Sequence, residues 1–289
     1  MAAPEVHFWG VRGSIPTPGP GTARYGGNTP CVSVSNGEGG LLVLDAGSGI
    51  RNLGDRLMHR VRRGALDVEL LLSHTHWDHI QGLPFFKPLS DPRTRVRIHG
   101  ARQNESPLSA ILERQMEPSV FPVPLTALAA RIEVHEIGPG PFEVPGFRAE
   151  AVRLRHPGTT LGFILEPVGG GRRFAYLTDN ELDLRAPYPL PETWRAELIE
   201  RLRGVDTLIH DAMYADAFVD ARSGWGHSTP EQSVELARNA GVRRVILFHH
   251  EPENDDAAVD ALLHGAREAA RRHGDLVVDA AVEGDSFAL

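Results

Sequence analysis

Within seven residues the chain places Ser73-His74-Thr75-His76-Trp77-Asp78-His79, directly after the apolar run Val68–Leu72. Three imidazoles and a carboxylate so close together offer the nitrogen and oxygen donors that bind divalent transition metals. His74 and His76 are two apart, so on extended backbone both rings leave on the same side. Asp78 and His79 follow on a turn and reach the same cavity from another direction. A single tetrahedral ion with an open position needs only three protein ligands, so the cluster suits two metals side by side, each completed from elsewhere. A solvated polar turn is the plain alternative; four ligand-type residues behind a buried strand argue against it.

The missing donors are sought at other strand ends, where layered α/β folds build their sites. His156 follows the run Phe147–Leu154, Asp179 ends Phe174–Thr178, and His249 ends Val245–Phe248 with His250 beside it. Singly, His156 reads as an ordinary histidine and Asp179 as a cap or turn residue. Together they complete two sites of nitrogen and oxygen donors. His210, at the end of an apolar run, reads as a structural histidine.

The elements that must position these residues are short β-type runs: Val6–Trp9, Leu41–Leu44, Val68–Leu72, Arg95–His99, Phe147–Leu154, Leu161–Glu166, Arg173–Thr178, Thr207–His210, Val242–Phe248 and Leu276–Asp279. Several are continuously apolar, as expected of strands covered on both faces. Thr229-Pro230-Glu231-Gln232 is a capping box with Pro at the first helical position, predicting a helix that ends near Gly241. Asp255 to His273 carries apolar residues at helical spacing before Gly274, and Pro107 to Met116 is a shorter helix candidate. Hairpin-like pairs in the first half and strand–helix alternation in the second predict two mixed sheets with helices outside. We expect one domain over residues 1–289.

Composition narrows the partners. Thirty-eight acids against 30 basic residues give a formal charge of −8, and Lys87 is the only lysine. That balance argues against a general nucleic-acid-binding surface, which needs basic excess. Cys31 stands alone, excluding an internal disulfide framework and a cysteine-based zinc ribbon, and it reads as a small buried apolar residue. No run approaches 18 apolar residues and no signal-like start is seen, so a soluble, cytoplasmic protein with no membrane partner is expected.

The order His74-x-His76-x-Asp78-His79, then His156, Asp179 and a late His249, resembles the metallo-β-lactamase superfamily over nearly the whole chain. The resemblance implies an α/β fold, the αββα four-layer sandwich of two mixed β-sheets with outer helices. It implies one metal on His74, His76 and His156, a second on Asp78, His79 and His249, and Asp179 bridging both. Asp45, in Leu41-Leu42-Val43-Leu44-Asp45-Ala46-Gly47, resembles the early Asp that supports the metal loop without ligating. The expected cofactors are two divalent ions, Zn²⁺ first, with Mn²⁺ or Fe²⁺ acceptable to the same donors. Two such ions about 3.5–4 Å apart polarise an electrophile and lower the pKa of water toward about 7.

Leu208-Ile209-His210-Asp211-Ala212-Met213-Tyr214 and Gly226-His227-Ser228-Thr229 resemble two motifs of the phosphodiesterase branch typified by ribonuclease Z. Carried over, Asp211 orients His227, which protonates the leaving group; with Asp78 they form the expected catalytic set. Asp211 stands where ribonuclease Z usually has Glu. As bare residues, Asp211 could be a turn residue and His227 could merely precede the capped helix. The stretch from His156 to Asp179 holds a loop, two strands and Gly169-Gly170-Gly171, with no room for the long arm that bacterial ribonuclease Z uses on tRNA.

The block Trp9–Pro18 with Arg24–Cys31 resembles the same region of cyclic nucleotide phosphodiesterases of this fold, making Asn28 and Thr29 candidate substrate contacts, with His250 beside them. The Pro-rich segment Gln115–Leu125 is a lid, a contact of a homodimer, or a plain connection. The leading expectation is hydrolysis of a small nucleotide phosphodiester, 3′,5′-cyclic mononucleotides first, with long RNA disfavoured as a partner. An RNA-processing nuclease, a lactone or thioester hydrolase, and a non-catalytic nucleotide sensor are the alternatives.

Overall fold

The computed structural model describes residues 3–37, 39–183, 185, 188–215, 220–272 and 274–289. Its strands assemble two sheets of seven, each half antiparallel and half parallel. The first sheet runs β14-β1-β2-β3-β4-β5-β6, from β1 (Glu5–Gly10), β2 (Cys31–Ser35), β3 (Leu41–Leu44), β4 (Leu66–Leu71), β5 (Thr94–Gly100), β6 (Arg131–Glu136) and β14 (Ser286–Ala288). The second runs β13-β12-β11-β10-β9-β8-β7, from β7 (Gly140–Val144), β8 (Phe147–Arg153), β9 (Leu161–Pro167), β10 (Phe174–Leu177), β11 (Thr207–Asp211), β12 (Arg244–Phe248) and β13 (Val277–Ala280). Parallel pairing joins β3 through β6 and β10 through β13.

Three apolar cores give the four layers. Between the sheets, Val6, Phe8, Val34 and Leu44 meet Phe163, Tyr176, Ile246 and Phe248. Outside the first sheet, Leu53 and Leu57 of α1 (Ile50–Val61) pack on Val43, Leu70 and Ile98. Outside the second, α4 (Trp194–Leu202), α5 (Pro230–Ala240) and α6 (Asp256–Arg271) cover Leu177, Leu208 and Val245. Both faces of the parallel strands are therefore apolar, which explains why β10 and β12 read as unbroken hydrophobic runs. Burying a leucine such as Leu57 contributes about 1.5–3 kcal/mol.

The expected αββα architecture is thus the observed one. Thr229 Oγ1 accepts from the Gln232 N–H, Gln232 Oε1 accepts from the Thr229 N–H, and Gly241 closes α5 at φ 72. Asp255 caps α6 by accepting from the Ala258 N–H at 2.8 Å. The candidate helix over 107–116 forms as α3 (Leu108–Arg114). Sequence reading missed β2, β6, β7, β14, α1 and α4. No described helix is long and apolar enough to cross a membrane.

Candidate metal centre

The second residue past β10 and the first past β3 and β12 are Asp179, Asp45 and His249, and all three take left-handed backbone, at φ 51, 60 and 62. Each turn throws a side chain across the sheet edge. After β4 the chain passes through Ser73, His74 and His76 before the single turn of α2 (Trp77–Ile80), which carries Asp78 and His79. His156 enters from the turn between β8 and β9.

The side chains gather in two groups. His74, His76 and His156 bring donor atoms within 4.8 Å of one another, as do Asp78, His79, Asp179 and His249. Asp179 lies between them: Oδ1 is 3.9 Å from His74 Nε2 and 3.7 Å from His156 Nε2, while Oδ2 is 3.1 Å from His79 Nε2 and 3.4 Å from His249 Nε2. One carboxylate oxygen thus faces each group. All these residues are buried except His76, which opens the first group to solvent.

Outer hydrogen bonds fix which nitrogen looks inward. His79 Nδ1 donates to Asp45 Oδ2 at 2.8 Å and His156 Nδ1 donates to the Gly226 carbonyl at 3.0 Å. His74 Nδ1 is 3.1 Å from Ser73 Oγ, which itself donates to Asp45 Oδ2. Each leaves Nε2 with its lone pair toward the cluster, the arrangement that metal-ligating histidines need. His74 Nε2 and His79 Nε2 are buried with no hydrogen-bond partner among the described residues. Buried polar atoms normally find partners, so these orphans and their donor chemistry fit divalent ions. Asp45, fully buried, also accepts from the Ser73 N–H and the Tyr176 hydroxyl, and supports the loop without facing either group.

Charge follows the same plan. Burial pushes His156 down to about 3, against Asp179, and pushes His74 well down, helped by His79. Burial opposes ionisation of Asp78 and Asp179, but the imidazoles around them win and hold both carboxyls well below the usual range. His79 runs the other way: burial lowers its pKa, but Asp78, Asp179 and Asp45 outweigh it and raise it well above its ordinary value, so it must shed a proton to join the neutral histidines and ionised carboxylates that ligate. Space is tight: a Cβ on Gly226 (φ 94) would sit 1.9 Å from His156 Nδ1, and one on Gly13 would sit 2.6 Å from the His249 ring.

Asp211 and His227 meet here as well. Asp211 Oδ2 lies 2.6 Å from His227 Nδ1, and Oδ1 accepts from the Met213 and Ser228 N–H groups. The His227 ring stacks on His249 at 5.0 Å and meets His156 edge-on at 5.2 Å. Burial lowers the His227 pKa, but Asp211 outweighs it and raises it to about 9.

Asn28, Thr29 and His250, expected as substrate contacts, make hydrogen bonds inside the protein. Asn28 donates to Glu283 and accepts from Ser48; Thr29, fully buried, accepts from the Ser48 N–H and from Gln81. His250 is buried and donates to the Ala281 carbonyl, and burial pushes its pKa down to about 4. These bonds tie the loop to Ser48, Gln81, Glu283 and Ala281. His210 is satisfied by Asn180 and its own turn, and burial pushes the Cys31 thiol well up. In the segment 115–125, Met116 is core and Phe121 packs edge-on against Phe85 at 5.6 Å.

Sequence reasoning missed four supports. Ser73 and Tyr176 share Asp45. The Ser14 N–H donates to Asp78 Oδ2 at 2.8 Å. Buried Glu181 accepts from the Gly224 and Gly226 N–H groups, holding the loop that leads to His227. A Gly on either side of Trp225 was the available signal for that loop.

Residues 41–250 match the family model described as the beta-lactamase superfamily domain. The chain is 26% identical to ribonuclease Z of Haloarcula marismortui over 311 aligned positions, covering 92% of this chain and 91% of that protein. It shares its fold with the metallo-beta-lactamase fold protein YhfI from Bacillus subtilis, at TM-score 0.69 and 17% identity, covering 99% of each. A diphosphatase from the PhnP family superposes at TM-score 0.64 with 22% identity, over 99% of this chain and 98% of that one.

Proposed function

This chain belongs to the beta-lactamase superfamily domain family, and from that premise we propose that it is a dinuclear phosphodiesterase acting on a small nucleotide diester, with 3′,5′-cyclic mononucleotides first. His74, His76 and His156 would hold one divalent ion, Asp78, His79 and His249 a second, and Asp179 would offer one oxygen to each. Bound there, such ions supply positive charge against phosphoryl oxygens and a nucleophile at neutral pH. Zn²⁺ suits these donors best, and Mn²⁺ and Fe²⁺ also fit.

The observation that carries the reading is the pairing of Asp211 with His227 at 2.6 Å, at the junction of both donor groups. A sugar alkoxide expelled from phosphorus must be protonated as it leaves. With Nδ1 held by Asp211, Nε2 is the nitrogen that delivers the proton, and the carboxylate stabilises the charged ring. His156 and His249 on either side keep that ring in plane. Small substrate size is favoured by the short path from His156 to Asp179, occupied by β9, a turn and β10, and by the −8 charge. The ions would replace, at one point, the basic surface that a long nucleic acid needs along its length.

Likeness to ribonuclease Z over 92% of the chain supports a second reading, an RNA-processing nuclease. One screen separates them. Metal-loaded protein is offered cyclic mono- and dinucleotides, bis-(p-nitrophenyl) phosphate and a tRNA precursor, and products are identified. A nucleoside monophosphate from the cyclic substrate is expected. Cleavage confined to the precursor selects the nuclease, and nucleotide binding without product rejects turnover in favour of a sensor.

A further inference from the structure

We infer that Trp77 and Trp225 are the surface on which the base of the substrate stacks while its phosphodiester reaches the His/Asp cluster, an inference resting on the nucleotide reading above. Trp77 stands between His76 and buried Asp78, yet its own side chain is 78% exposed. Trp225 stands between Gly224 and Gly226 and is 61% exposed. The chain's other two tryptophans are used differently: Trp194 is buried and donates to the Arg153 carbonyl, and Trp9 donates to Ser33 Oγ. Large apolar side chains left in water forgo the free energy of burial, and these two are each adjacent in sequence to a residue whose atoms contact His156.

The chain segments that carry the two indoles meet at His156. His76 Nδ1 lies 2.9 Å from His156 Nε2, and His156 Nδ1 reaches the Gly226 carbonyl at 3.0 Å. Two contacts thus connect the residue preceding Trp77 to the residue following Trp225, across the solvent-open first donor group. Both mounts are fixed. Trp77 begins α2 and its carbonyl accepts from the Gln81 N–H at 2.7 Å. The Trp225 N–H donates to the Arg222 carbonyl, and its two flanking glycines donate to buried Glu181. Fixed backbone mounts reduce the ordering needed to bind a flat ring.

The occupant is set by chemistry. Every nucleobase presents a flat π face, and stacking on an aromatic side chain contributes largely without regard to sequence. The inference therefore predicts broad base tolerance with a strong requirement that a base be present.

The test compares adenosine 3′,5′-cyclic monophosphate with its base-free counterpart, 1-O-methylribose 3′,5′-cyclic phosphate, on zinc-loaded wild type, Trp77→Ala, Trp225→Ala and the corresponding Phe variants. Wild type should prefer the base-bearing diester. Each Ala variant should lower the ratio of kcat/KM for the two substrates by roughly 5- to 140-fold, the equivalent of about 1–3 kcal/mol of stacking, and each Phe variant should recover most of it. Independently, adenosine 5′-monophosphate should quench the tryptophan fluorescence of the wild type, and the quench should shrink in each Ala variant. A wild type that cleaves both substrates with equal efficiency, or Ala variants that leave the ratio unmoved, overturns the tryptophan assignment alone. A zinc-loaded wild type that cleaves neither overturns the nucleotide reading, and this inference with it. Concentration-dependent self-association of the wild type that is lost in the Ala variants, with the ratio intact, would assign the indoles to a second copy of the chain.

Discussion

Replacing Asp45 by Asn takes one charge and one acceptor from a buried carboxylate that holds four donors. Ser73 N–H reaches Oδ1 at 2.7 Å; Ser73 Oγ, His79 Nδ1 and Tyr176 OH reach Oδ2 at 2.9, 2.8 and 2.8 Å. Asn is the clean probe because it tolerates the left-handed backbone at φ 60, where Ala would add strain. Its amide must put NH₂ at one oxygen position, and the less damaging choice is Oδ1, which faces a single donor. The Ser73 N–H is then buried without an acceptor, costing about 1–3 kcal/mol. The other three bonds fall from charge-assisted to neutral, about 1 kcal/mol each. Relief from burying a charge, itself several kcal/mol, offsets part of that sum. We expect the metal-free protein to lose about 2–4 kcal/mol, a large share of an ordinary stability of about 5–15 kcal/mol.

The second consequence falls on the metal. His79 Nδ1 faces the weakened acceptor, and Ser73 Oγ, which contacts His74 Nδ1, faces it too, so one histidine from each donor group loses its orientation. Loss of such an outer partner typically weakens metal affinity 10- to 100-fold. Urea unfolding of the metal-free protein reads the first effect, and competition with a chromogenic chelator reads the second. A variant that keeps wild-type stability and wild-type zinc affinity would refute the claim that Asp45 organises the cluster.

His227→Ala should lower kcat by about 10²- to 10⁴-fold while both metals stay bound, with a smaller deficit on p-nitrophenyl esters, whose leaving group needs no proton; metal loss in that variant would make His227 a ligand instead. Gly226→Ala puts a Cβ 1.9 Å from His156 Nδ1 at φ 94, so one of two metal-binding steps should weaken in a titration while the other persists, and an unchanged isotherm would count against the packing argument. Glu69, buried on β4, accepts from His99 Nε2 and from Arg97; burial pushes its carboxyl up, but those bonds win and hold it below its ordinary 4.5. A carboxyl depressed by folding contributes stability above its unfolded pKa and loses it as pH falls through the folded one, so stability should fall below about pH 4.5. Glu69→Gln should flatten that fall, as measured by urea midpoints at pH 7 and pH 4.

The donor set was legible because its strongest part is contiguous. Four ligand-type residues follow β4 directly, and strand ends are where partners must be sought, so Asp179 and His249 could be named from the sequence. The strands missed gave weak signals: β14 has three residues, β6 has only two apolar residues and none fully buried, and β2, though buried, alternates its valines with serines. α1 starts without a side-chain cap, which removes the local start signal, although Ile50, Leu53, Leu57 and Val61 have helical spacing. Asn28 and Thr29 were ambiguous for a different reason. A polar residue in a glycine-rich turn suits a ligand and suits its own turn equally well, and only the positions of Ser48, Gln81 and Glu283, far away in sequence, decide between them.

Backbone strain at the strand ends separates support from accident at this centre. Asp45, Asp179 and His249 each hold left-handed backbone, at about 1–2 kcal/mol per residue for a non-glycine side chain. Glycine would remove that cost at all three, and the chain uses glycine freely at positive φ elsewhere, as at Gly158, Gly226 and Gly241. Side chains are therefore kept at these turns against the local preference. What they gain is direction: a strand continued in β conformation would alternate its side chains between the two apolar cores, where no carboxylate or imidazole can be solvated. A left-handed residue breaks that alternation and swings its side chain along the open edge, toward the groups that compensate it. The strain and the orphaned Nε2 atoms of His74 and His79 point the same way. The orphaned nitrogens are unfavourable in the protein alone and are relieved by cations held between the two groups, so the metal-free fold should be measurably less stable than the loaded one.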